Sequence, residues 1–153
     1  LNVKNLEQAQ VEFKAAQDDF DQLQQLVDRT DVQAAITQFA PQYSNKLGLA
    51  QRLVQVALDV SRMGNELTGV ALIGANIIHG SPLSSGSTKP VISTADIAAI
   101  DGSMVHALYY INDIQQQMSQ VSIKDIPISD SQKKQLASVM ALLPQAHDTI
   151  VQA

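Results

Sequence analysis

The sequence predicts an all-α fold: an antiparallel bundle of four long helices, with a short helix between the first and second. Three observations predict it. Apolar residues recur every seven positions along most of the chain, no segment alternates apolar and polar residues for long enough to make a strand, and turn residues fall between the heptad runs. The 153 residues are expected to form one domain, 1–153, a length that is sufficient for a real core.

The first helix is read from Leu6, Phe13, Phe20 and Val27, with Ala9, Ala16 and Leu23 at the intervening seam positions. Asp28, Arg29 and Thr30 end it. Thr30 with Gln33 reads as a capping box for a short helix over Asp31–Phe39. Pro41 then forces a break, because its ring disfavours helical backbone at Ala40.

The second long helix is expected over Gln42–Ile78, about 55 Å at 1.5 Å per residue. Its apolar stripe is wide enough to suggest burial against more than one neighbour. Ala50, Ala57, Gly64 and Ala71 share one heptad position, and Ser61 and Ala75 line the next. Together they form a strip of small side chains, read as a helix-packing seam where a facing helix approaches closely. Gly64, Gly69 and Gly74 each cost the helix about 1 kcal/mol relative to Ala, so each needs a reason such as close packing or a bend.

A Ser/Pro/Gly-rich connector follows from Gly80 to Pro90. The third helix opens at Ser93, with Asp96 as its capping-box partner, and repeats Ile97, Met104, Ile111 and Met118 with Ile100, Ala107, Ile114 and Val121. Ser129 with Gln132 caps a fourth helix that is expected to bury Leu136, Val139, Met140, Leu143 and Ile150. Pro144 predicts a kink or a stop near Leu143.

Composition narrows the function classes. The net charge is −5, and the ten Lys and Arg are scattered, so no basic stripe is present for nucleic acid. No cysteine is present, which removes disulfides, thiolate metal sites and Cys nucleophiles. The longest apolar stretch, Leu67–Ile78, is too short to span a bilayer, so contact with a membrane is expected only through segments outside these residues. The chain opens at Leu1 with neither Met nor signal peptide and is read as a piece of a longer protein.

Chemistry-bearing residues form no recognisable catalytic pattern. His79, His106 and His147 match no metal-ligand spacing, and no Glu-x-x-His motif of a di-iron bundle occurs. Asp18, Asp19 and Asp21, and Asp96 with Asp101, read as solvated faces or helix-start charges. Ser81 to Ser87 contain no nucleophile elbow. No enzyme, cofactor or metal is expected. Tyr109 and Tyr110, placed on outer positions by the heptad count, are a candidate contact surface.

Helix order, with the segments "ISTADIAAI" and "ISDSQKKQLASVMALLP", resembles the helical region preceding the conserved domain of a family of large bacterial proteins. That family is membrane-anchored and extracytoplasmic, and is known as domain of unknown function four thousand and twelve. The resemblance covers most of the chain. It implies an extracytoplasmic, cell-envelope location and no known activity, and it carries over no functional residue. The leading expectation is a non-enzymatic helical module with a structural or protein-interaction role, whose partners are other protein domains or a second copy. The alternative is the ligand-binding bundle of a membrane receptor, which also places its helices antiparallel. A small enzyme ranks third, for want of an acid–base or nucleophile constellation.

Overall fold

The computed structural model describes residues 2–79 and 92–152, and all the regular structure among them is helical. The expected connector from Gly80 to Pro90 lies outside the described residues. Five α-helices appear in order: α1 (Val3–Val27), α2 (Thr30–Phe39), α3 (Ser44–His79), α4 (Thr94–Met118) and α5 (Asp130–Gln152). A 3-10 turn, Pro41–Tyr43, joins α2 to α3, with proline at its first position. The chain is an all-α bundle. No helix among the described residues is long and apolar enough to cross a membrane.

The helix ends follow local chemistry. Asn2 caps α1 by accepting from the Lys4 N–H. Ser93 and Asp96 form a reciprocal box at the start of α4: Ser93 Oγ accepts from the Asp96 N–H at 3.0 Å, and the Asp96 carboxylate accepts from the Ser93 N–H at 3.1 Å. Ser129 and Gln132 do the same ahead of α5. Thr30 and Gln33 do not form the expected box. Helix α2 starts at Thr30 itself, Arg29 takes the cap position without a side-chain bond, and the Arg29 guanidinium instead grips Asp31. The helix therefore starts one residue earlier than expected. Pro144 does not stop α5, which runs on to Gln152.

Helix α3 is the hub. Cross-helix contacts fix the directions: Phe13 meets Gly64 and Gln24 meets Gln55 between α1 and α3, while Arg52 meets Gln117 and Glu66 meets Ser103 between α3 and α4. In both pairs the numbers rise on one helix as they fall on the other, so α1 and α4 each run antiparallel to α3. Among the described residues no Cα of α1 comes within 8 Å of α4 or α5, and none of α5 comes within 8 Å of α3. The helices therefore pack in the order α1, α3, α4, α5 and leave α3 open along part of its length.

The core sits where α3, α4 and α5 converge. Ile111, Ile114, Met118, Ile126 and Leu143 are buried there, and Leu53, Val56 and Met63 of α3 pack against them. Away from that point the seams come apart. Ile97 and Val139, both expected inside, are exposed, as is Leu23 at the edge of α1. Each sits on its heptad, but no described helix covers it.

Candidate functional site

Two features of α3 stand out, one apolar and one polar. The apolar feature begins at Gly64. Three atoms of the Phe13 ring lie within 2.6 Å of where a Gly64 Cβ would stand, so the ring rests on bare helix backbone. Gly69 has only Gln10 nearby, and Gly74 has nothing within 4 Å, so close approach explains one of the three glycines. Of the other strip residues, Ser61 and Ala75 are buried, while Ala50, Ala57 and Ala71 are half-buried. Ser61 satisfies its hydroxyl on the Ala57 carbonyl. Beside the Phe13–Gly64 contact runs an open groove of about 350 Å³, lined by Val60, Met63, Leu67, Thr68 and Ala71. Val60 and Leu67 stay 41% and 36% exposed on its wall.

The polar feature lies where α1, α3 and α4 meet. The Gln55 amide nitrogen donates to Asp59 Oδ1 at 3.1 Å and to Asp113 Oδ2 at 3.4 Å, and its oxygen accepts from Gln24. One glutamine thus ties three helices together. Asp59 is only 1% exposed, and its Oδ2 has no hydrogen-bond donor. Burial, and then the Asp113 carboxylate beside it, push the Asp59 carboxyl up to about 7. Farther along, the Arg52 guanidinium donates to Gln117, and Gln51 donates to the Val27 carbonyl that ends α1.

Glu66 collects two residues of α4: the Ser103 hydroxyl donates to it at 2.7 Å, and His106 Nδ1 lies 3.0 Å from its other oxygen. The residue types match a hydrolytic triad, but the order does not. In a triad the histidine stands between hydroxyl and carboxylate, so that it takes the proton of the nucleophile. Here the carboxylate stands in the middle and accepts from the hydroxyl, so the order is not that of a triad. The arrangement joins α3 to α4. His147 Nδ1 lies 3.4 Å from adjacent Asp148, and His79 ends α3. Among the described residues no three His, Asp or Glu side chains gather as a metal-ligand group.

The two tyrosines separate. Tyr109 is 66% exposed, whereas Tyr110 is half-buried, and burial raises its hydroxyl above the usual tyrosine range. Their rings meet edge to face at 5.6 Å. Only Tyr109 offers a free face. Sequence reasoning passed over Asp59, Asp113, Gln55 and Glu66. The signal was present for Asp59, a carboxylate inside the otherwise apolar run Val56 to Val60. For Asp113 there was none, since an aspartate beside a heptad seam is ordinary on a solvated face.

Comparison of the chain with known protein families, with curated proteins and with solved structures gives no match.

Proposed function

We propose that this chain is a non-enzymatic helical interaction module, whose open groove on α3 receives an apolar helical segment of another protein or of a second copy. The groove carries the reading. Phe13, Val60, Met63 and Leu67 present contiguous apolar surface between two helices, a form that suits an amphipathic helix laid into it. The polar side chains support the non-enzymatic part, because Ser93, Ser103, Glu66 and Gln55 are each engaged in a cap or a cross-helix bond. The extracytoplasmic, cell-envelope location belongs to the same proposal and rests on the family resemblance.

The test is a photo-crosslinking amino acid at position 67, introduced into the full-length protein in the cells that make it. A discrete cross-linked protein, absent when the same group stands at exposed Lys14, is the expected result. Equal labelling from both positions, or none from position 67, would sink the reading.

A further inference from the structure

We propose that Asp59 and Asp113 share a single proton across the α3–α4 interface, making this contact a pH-sensitive latch that is closed in acidic solution and weakened in alkaline. The geometry requires a proton there. Both carboxyl groups reach the same Gln55 nitrogen, that amide has only two hydrogens to give, and Asp113 acts on the Asp59 carboxyl directly. With one hydrogen on Asp59 Oδ1 and the other on Asp113 Oδ2, Asp59 Oδ2 remains buried with no donor. A bare negative oxygen in that position is costly. Protonated, it becomes a donor, and the neighbouring acceptor is Asp113.

Among the described residues only a weakly acting cation bears on Asp59. Helix α3 itself brings Arg62, whose pull on Asp59 is the smallest of the influences there. Helix α4 brings Asp113 and the Tyr110 hydroxyl, and the α1 contribution is the uncharged Gln24, acting through Gln55. Arg52 is committed to Gln117. A carboxyl raised to about 7 against an ordinary value of 3.8 is what such surroundings produce. The folded protein therefore holds a proton that the unfolded chain releases at lower pH. Stability from this site is complete below pH ~4, declines as pH rises through about 7, and is flat above that. Because Gln55 links the pair to Gln24, loss of the proton loosens α1 as well as α4.

The experiment compares wild type with Asp59→Asn and Asp113→Asn by chemical denaturation at acidic and alkaline pH, together with infrared spectra of all three at pH ~6. An asparagine at position 59 keeps the acceptor for Gln55 and supplies a permanent donor for Asp113. Relative to Asp59→Asn, the wild-type folding constant is expected to fall roughly ten- to a hundredfold between the two conditions. Wild type should also show a protonated carboxylic-acid band at pH ~6 that Asp59→Asn lacks and that Asp113→Asn, which leaves Asp59 buried, weakens at most. Parallel stability profiles for wild type and Asp59→Asn would overturn the proposal. So would a wild-type spectrum without the acid band, a readout that stands even if a variant fails to fold.

Discussion

Gly64→Ala adds one methyl group, and two effects of opposite sign decide what it does. On an open helix face the change stabilises by about 1 kcal/mol, because alanine is the better helix former. At Gly64 the methyl would stand within 2.6 Å of three Phe13 ring atoms, closer than carbon atoms can sit. The ring must swing out or α1 must retreat, at a cost of about 1–3 kcal/mol. The adjoining groove gives the ring somewhere to go, which keeps the cost within that range. Gly64→Ala should therefore be neutral to about 2 kcal/mol destabilising, and Gly64→Leu worse. Removing the ring separates the two effects: in a Phe13→Ala background, Gly64→Ala should stabilise by about 1 kcal/mol. Urea melts followed by far-UV circular dichroism give the four corners of the cycle, with an expected coupling of about 1–3 kcal/mol. Stabilisation by the same amount in both backgrounds would show that the ring does not rest on Gly64, and the packing argument would fail.

Other substitutions probe the caps and the core. Ser93→Ala should lower stability by about 1 kcal/mol in a denaturant melt, since it removes the acceptor for the Asp96 N–H at the start of α4. Thr30→Ala should stay within about 0.5 kcal/mol of wild type, because no cap bond is made there. Leu58→Ala, at a fully buried position of α3, should cost about 2–5 kcal/mol, while Leu67→Ala on the groove wall should cost about 1 kcal/mol. A similar cost at both leucines, read from the same melts, would mean that the groove is filled in solution.

Fold class and helix boundaries were legible because they rest on local chemistry. Heptad spacing, the Ser93–Asp96 and Ser129–Gln132 boxes and the break at Pro41 act over a few residues, and each appears in the structure near its expected place. One local reading failed at α2, where Thr30 is the first helical residue, not the cap, and Arg29 bonds Asp31. The arrangement of the helices depends on which faces find partners, and heptads on four helices are compatible with many pairings. Ile97 and Val139 carry the same apolar pattern as Ile111 and Leu143, yet only the latter two are covered. The candidate sites belong to that second kind of information. Gln55, Asp59 and Asp113 are 58 residues apart at their widest hydrogen-bonded separation. Asp59 and Asp113 become a proton-holding pair only when antiparallel packing brings α4 onto α3, because burial, not sequence position, sets the electrostatics of a carboxyl group.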